Sequence, residues 1–145
     1  MRRVRVHHFV VAGLARPQDP AWRVCDLFRV SHWYDLPADT EFPYVVPRIH
    51  VFARFYLWRA KPAEFRVLVS WMNTPSGNPE EIGDFGPFTI PFTRDSTARD
   101  FSFNLHNVRL RGVGLHRVEL VRERTRGWNA GELVPVATTF FVVER

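Results

Sequence analysis

Apolar residues occupy every second position along several stretches of this chain, and this alternation constrains the fold more than any other feature. Successive side chains of a β-strand point to opposite faces, so a period of two predicts a strand with one buried face. In the clearest run, Arg48 to Trp58, the alternating apolar residues are Ile49, Val51, Ala53, Phe55 and Leu57. Similar alternation predicts strands at residues 3–12, 65–71, 88–92, 101–105, 115–124 and 137–143.

Proline and glycine separate these runs, and they indicate turns. The 11 prolines and the 14% aromatic content favour strands over helices. Proline stops helices, and aromatic rings suit a half-buried pleated surface. Neither a linker nor an internal repeat divides the chain, so we predict one all-β domain over residues 1–145. The pattern is typical of a two-sheet antiparallel sandwich of about 7–9 strands with at most one short helix.

Four local features of this sandwich follow from the residues. In the segment from Trp22 to Leu36 the apolar spacing fits neither period, and we predict a helical or irregular turn near Cys25 followed by a strand at residues 28–33. Residues 48–58 and 65–71 are close enough in sequence to form an antiparallel pair. Residues 73–86 are rich in proline and glycine and are expected to form a loop. Pro91 indicates an edge strand or a bulge.

The last thirty residues carry a family resemblance. Gly114-Leu115-His116-Arg117-Val118-Glu119-Leu120 resembles the Gly-x-Tyr-x-apolar-x-apolar strand of immunoglobulin-like domains, and Thr138 to Val143 resembles their closing strand. With the start of the chain, this is similar to small uncharacterised bacterial proteins with an immunoglobulin-like β-sandwich. The resemblance covers about a third of the chain and implies that fold. It supplies no catalytic residues. His116 replaces the tyrosine, and we expect its imidazole to bind a nearby backbone group.

The single cysteine, Cys25, excludes an intrachain disulfide. Arg5, His7 and His8 interrupt the apolar N-terminal run, so it lacks the centre of a signal peptide. A membrane-spanning helix needs about 18 or more consecutive apolar residues, and the sequence has no such stretch. We therefore predict a cytoplasmic protein that does not enter a membrane.

No combination of residues predicts catalysis or metal binding. The six histidines form neither an H-x-H nor an H-x-x-x-H pair. His7 and His8 would point to opposite faces of a strand and could not share an ion. The acidic residues Glu80, Glu81 and Asp84 lie in the expected loop without calcium-binding spacing. We predict no catalytic residue, no metal site and no cofactor, and hence a protein that is not an enzyme.

One strand carries aromatic residues on the face that should meet solvent. On residues 48–58 the outward positions include Phe52, Tyr56 and Trp58, with Arg54 among them. The outer face of a sandwich is normally polar, so these rings require a cover. The cover is either the segment from Trp22 to Pro47 or another subunit or ligand. Leu68 and Met72, outward on the next predicted strand, would extend the patch.

We therefore predict a non-catalytic binding or assembly module whose binding residues are Phe52, Arg54, Tyr56, Trp58 and Met72. Arginine and aromatic residues are enriched at interface centres, which favours a homo-oligomer or another protein as the partner. The alternative is a carbohydrate or single-stranded nucleic acid bound by aromatic and arginine side chains. The net charge of +5 is compatible with nucleic acid, but no nucleic-acid motif is present.

Overall fold

A computed structural model gives the architecture of the chain. It describes residues 4–17, 25–30, 33–57, 63–90, 98–124, 127–128 and 130–145. These residues contain nine strands and no helix, which confirms the all-β prediction. The strands are β1 (Val4–Pro17), β2 (Cys25–Val30), β3 (Trp33–Asp35), β4 (Tyr44–Leu57), β5 (Ala63–Trp71), β6 (Glu80–Ile90), β7 (Ala98–Leu110), β8 (Gly114–Glu123) and β9 (Leu133–Glu144).

The strands form two sheets, as predicted. The four-stranded sheet has the order β2-β1-β4-β7, and the five-stranded sheet has the order β3-β9-β8-β5-β6. Every neighbouring pair is antiparallel except β3 and β9, which run parallel with Trp33 opposite Val142. The all-antiparallel prediction is therefore wrong at this edge. The strand β3 contributes only three paired residues to this parallel contact.

The inner faces of both sheets contribute to one hydrophobic core. Phe55 of β4 and Phe65 of β5 belong to different sheets, and their ring centroids are 5.4 Å apart. Phe103 of β7 meets Phe88 of β6 edge to face, at 4.9 Å between centroids. This T-shaped geometry is favoured because the positive edge of one ring meets the negative face of the other. These aromatic contacts join the two sheets.

The predicted antiparallel pair formed by residues 48–58 and 65–71 does not exist. The strand β4 pairs with β1 and β7, whereas β5 pairs with β6 and β8. The chain thus crosses from one sheet to the other between β4 and β5. Alternation identifies which residues are buried, but it does not identify the neighbour that supplies the hydrogen bonds. The connection between these two strands, residues 58–62, lies outside the described residues.

One further prediction about local structure is wrong, and another is correct for only half of its range. The strand β2 begins at Cys25, where a helical or irregular turn was expected, and it pairs with β1 through residues such as Leu27. The loop expected at residues 73–86 covers only residues 73–79, because the second half of that range belongs to β6, which begins at Glu80. Glycine and proline are tolerated in β6 because it is an edge strand and its ladder with β5 has two irregularities. Pro91 lies outside the described residues.

Candidate functional site

Each sheet has an outer face, directed away from the shared core. On β4, the residues Val51, Ala53 and Phe55 belong to the core, so the alternate residues His50, Phe52 and Arg54 lie on the outer face of the four-stranded sheet. This is the face on which the sequence placed a binding site.

Phe52 is buried even though it lies on an outer face. Only 2% of its surface is exposed, and the atoms that cover it belong to the chain itself. Its cross-strand neighbours are Val10 on β1 and Ser102 on β7. The ring is therefore inaccessible to a partner in this conformation. No other subunit or ligand is needed to explain the burial of Phe52.

Arg54 is engaged by a carboxylate on the neighbouring strand. Its Nε and Nη2 donate hydrogen bonds of 2.7 and 2.9 Å to the two carboxylate oxygens of Asp100. The Asp100 side chain has no exposed surface, whereas 37% of the Arg54 side chain is exposed. A bidentate pair of this kind fixes the orientation of the guanidinium group. Arg54 is therefore bonded to the neighbouring strand of its sheet, and it presents only part of its surface to solvent.

Polar atoms are buried on the same face. His50 lies opposite Asn104 of β7. Burial lowers the pKa of His50, with Asn104 opposing that shift through a hydrogen bond and the charges of Arg48 and His106 adding to it. Its Nδ1 and the hydroxyl of Ser102 have no hydrogen-bond partner in the part of the chain that the structure describes. Burial thus disfavours the charged form of the imidazole in this row.

Of the remaining predicted binding residues, only Met72 has a side chain that the structure describes. Tyr56 lies on β4 opposite Ala98, and its side chain, like all of Trp58, is outside what the structure describes. Met72 directly follows β5 and is half buried on the other sheet, where its backbone N–H donates to the carbonyl of Leu115 at 2.9 Å. Met72 therefore lies beside a different sheet from the one that carries Phe52, and it does not extend a patch centred on Phe52.

The five-stranded sheet carries an apolar outer face of its own. Trp33 of β3 lies opposite Val142 of β9, Val142 lies opposite Leu115 of β8, and Met72 is bonded to Leu115. One apolar row thus crosses four neighbouring segments of chain. Phe140, two residues before Val142 on β9, lies on the same face. We call Trp33, Met72, Leu115, Phe140 and Val142 the outer apolar face.

Three members of the outer apolar face are substantially exposed. The exposed fractions are 56% for Trp33, 42% for Phe140 and 37% for Leu115. Met72 and Val142 are half buried. Scattered exposed apolar residues are common at protein surfaces, whereas a contiguous group is typical of an interaction site. This group is the better candidate for a binding surface because its rings are accessible.

A charged pair lies beside these apolar residues. Arg117 is opposite Phe140, and Glu119 is opposite Thr138, in the ladder between β8 and β9. The Nε of Arg117 is 2.8 Å from a carboxylate oxygen of Glu119. This contact is an ion pair that lacks the alignment of a hydrogen bond. The two charges offset each other, so this part of the face combines apolar surface with a locally neutral polar pair.

His116 lies on the inner face of β8. Its side chain is fully buried and stacks on Phe141, with 4.8 Å between ring centroids and 10° between ring planes. Its Nδ1–H donates to the carbonyl of Gly114 at 3.0 Å. The expected bond to a nearby backbone group is thus present. Burial lowers the pKa of His116, and its Nε2 has no partner among the described residues.

The described residues contain no group of three or more His, Cys, Asp or Glu side chains that could hold a metal ion. Two of the three acidic residues considered above are engaged in surface ion pairs, since Arg111 binds Glu80 and Arg66 binds Asp84. In the same part of the chain, no helix is long and apolar enough to cross a membrane.

The outer apolar face was not identified from the sequence, although one signal for it is present. In the last four residues of the segment from Thr138 to Val143, both faces of the strand are apolar. Phe140 and Val142 lie on one face, and Phe141 and Val143 lie on the other. The same two-sided pattern drew attention to residues 48–58. Trp33 gave no comparable signal, because β3 is too short to show a period.

Comparisons with known proteins show little similarity. No family model matches the chain, and no curated protein matches it. Two solved structures align at low identity. One is a β-glucosidase from Listeria innocua in complex with isofagomine, at 11% identity and a TM-score of 0.47 over 99% of this chain. The other is an alkylpurine DNA glycosylase from Pseudomonas fluorescens bound to DNA containing an abasic-site analogue, at 12% and 0.44 over 98%. The chain spans only 16% and 30% of their lengths.

Proposed function

We propose that this domain is a non-catalytic assembly module that self-associates through the outer apolar face of its five-stranded sheet. The observation that carries the proposal is the exposure of Trp33, Leu115 and Phe140 on one sheet face. Association would remove these apolar surfaces from water, which is the main driving force of most protein association. Tryptophan and other aromatic residues commonly supply the central contacts of such interfaces.

Light scattering coupled to size exclusion tests this proposal over a range of protein concentrations. The wild-type protein should approach twice the mass of one chain at high concentration. Trp33→Ser and Phe140→Ser should each weaken association about tenfold or more, as expected for central aromatic residues. Val45→Ser is the matched control, because Val45 is 44% exposed but lies on β4 of the other sheet. A protein that stays monomeric at its highest soluble concentration would contradict the proposal, as would association unaffected by either substitution.

The proposal includes an immunoglobulin-like sandwich as the finer description of the fold. Two sheets with a common core and the His116 bond to Gly114 support it. A cytoplasmic location is also proposed, on the basis of the single cysteine. An experimental structure would test the first part, and fractionation of cells that produce the protein would test the second.

Carbohydrate binding is the second candidate, because Trp33 and Phe140 present accessible rings on the same face. Flat aromatic surfaces can stack against sugar rings. Titration with a panel of glycans should then quench tryptophan fluorescence in the wild-type protein, and Trp33→Ser should remove the response. If no glycan quenches the fluorescence, this alternative fails. Nucleic-acid binding would instead show affinity that falls steeply with salt.

A further inference from the structure

The central ladder of the five-stranded sheet has a pattern that suits a particular partner. Across the ladder between β8 and β9, Leu115 lies opposite Val142, Arg117 opposite Phe140, and Glu119 opposite Thr138. In each pair the two side chains are compatible with each other, and no pair joins two like charges. If a second copy placed its β9 over this β8 and its β8 over this β9, compatible groups would face each other in each of these three rows.

We propose, on the basis of the self-association proposed above, that the partner is a second copy related by a twofold axis parallel to the strands and midway between β8 and β9. A rotation about this axis leaves each row at the same level along the strands. It places β9 of the second copy opposite β8 of the first, and β8 of the second copy opposite β9 of the first. Leu115 then faces the partner's Val142, and Arg117 faces the partner's Phe140. Glu119 faces the partner's Thr138. The interface is isologous, as the common twofold dimers are.

The chemistry of each row supports this arrangement. Sheets that pack face to face are about 10 Å apart, which allows facing side chains to meet. Arg117 would lie against an aromatic ring, a favourable cation–π arrangement. In the same geometry Trp33 of β3 faces the partner's Met72, and sulfur–aromatic contacts are favourable. Each contact occurs twice, and the ion pair between Arg117 and Glu119 within each chain is retained.

A twofold axis across the strands, between Arg117 and Glu119, is less favourable. It would place Arg117 and Glu119 of one copy opposite the oppositely charged residues of the other, which is favourable, but these two residues already form an ion pair within each chain. It would also set Phe140 against the partner's Thr138. The aromatic ring of Trp33 would lie beyond the partner's β3, because that strand spans only Trp33–Asp35. The interface would then leave out Trp33, the largest residue of the apolar row. The axis parallel to the strands therefore buries more of the exposed apolar surface.

Two substitutions at Phe140 distinguish the geometries. In the proposed dimer Phe140→Arg sets two arginines against each other in two symmetric places, and it should weaken dimerisation about a hundredfold or more. Phe140→Glu instead faces the partner's Arg117 and should keep the dissociation constant within about tenfold of the wild-type value. Dissociation constants are measured by analytical ultracentrifugation. Far-UV circular dichroism and thermal melting confirm that both variants fold.

A mixing experiment adds a direct test of the facing residues. Phe140→Arg and Arg117→Glu chains, each weakened alone, should associate when mixed, because the heterodimer pairs the new arginine with the new glutamate. Equal weakening by Phe140→Arg and Phe140→Glu, in a wild-type protein that dimerises, would overturn the proposed axis but leave self-association intact. Dimerisation unaffected by either change would also overturn it. A wild-type protein that does not dimerise would overturn both proposals.

Discussion

Arg54 on β4 donates two hydrogen bonds to Asp100 on β7, and the Asp100 side chain has no exposed surface. The pair is therefore asymmetric: the cation reaches solvent and the anion does not. Removing one partner of a buried pair leaves the other charge uncompensated, and the cost depends on which charge stays buried. If the role of Arg54 is structural, substitutions of Arg54 and of Asp100 should therefore differ in their effect on stability.

Arg54→Met should destabilise the fold more than Asp100→Asn does. The first leaves a buried carboxylate without its cation, at a cost of roughly 2–3 kcal/mol after allowing for the partial exposure of Arg54. The second leaves a cation that can reach water. Urea unfolding measures both. Arg66→Met is the matched control, because Arg66 binds Asp84 with the same two-bond geometry at a site where both side chains are partly exposed, and it should leave the midpoint almost unchanged. Equal effects of Arg54→Met and Arg66→Met would contradict the prediction.

Phe52→Ala should act on stability. The ring is almost completely buried on the outer face of the four-stranded sheet, and truncation of a buried phenylalanine costs about 3–5 kcal/mol. Leu115→Ala, at an exposed position of the other sheet, should change the free energy of unfolding much less. Thermal or chemical unfolding checks both variants. A Phe52→Ala protein of nearly wild-type stability would show that the ring is accessible and would return it to the set of surface binding residues.

Stability should fall as the pH is lowered from neutral. Burial lowers the pKa of His116 and of His50 below the ordinary value, so the fold favours the neutral imidazole. The contribution is fully present above the unfolded-state pKa of about 6.5 and is lost as the pH falls toward the folded-state pKa. Each histidine can contribute a slope of at most about 1.4 kcal/mol per pH unit.

His116→Phe tests the part of this dependence that His116 contributes. Phenylalanine keeps the stacking on Phe141 and removes a buried nitrogen that has no partner among the described residues. The variant should lose less stability than the wild type between about pH 7 and pH 5, measured by urea unfolding at each pH. An unchanged slope in His116→Phe would refute the assignment.

Gly114→Ala should be strongly destabilising. Gly114 has φ of +105°, and a Cβ there would lie 2.5 Å from Oδ1 of Asn73, the atom that accepts a hydrogen bond from the Leu115 N–H. Backbone strain alone costs about 1–3 kcal/mol. Gly77→Ala is the matched control, since Gly77 also has a positive φ, +78°, but nothing lies within 4 Å of its added Cβ. Equal losses of stability in the two variants, measured by thermal unfolding, would show that the contact with Asn73 adds nothing.

The sequence by itself determined the class of fold and most of the core. The period of two on β4, β5 and β8 identified inward residues such as Phe55, Val67 and Val118, all of them buried. Alternation reports burial because the two faces of a strand meet different surroundings, and this is a local property. The His116 contact with a backbone carbonyl could also be predicted, because its partner, Gly114, is only two residues away.

Tertiary structure alone decided which strands are neighbours and which outer face is accessible. Hydrogen bonds between strands depend on backbone groups that every residue carries, so the sequence did not show that β4 and β5 belong to different sheets. The accessibility of an outward residue depends on what the rest of the chain places over it. Phe52 and Phe140 are both aromatic and both outward, yet the chain covers the first and leaves 42% of the second exposed.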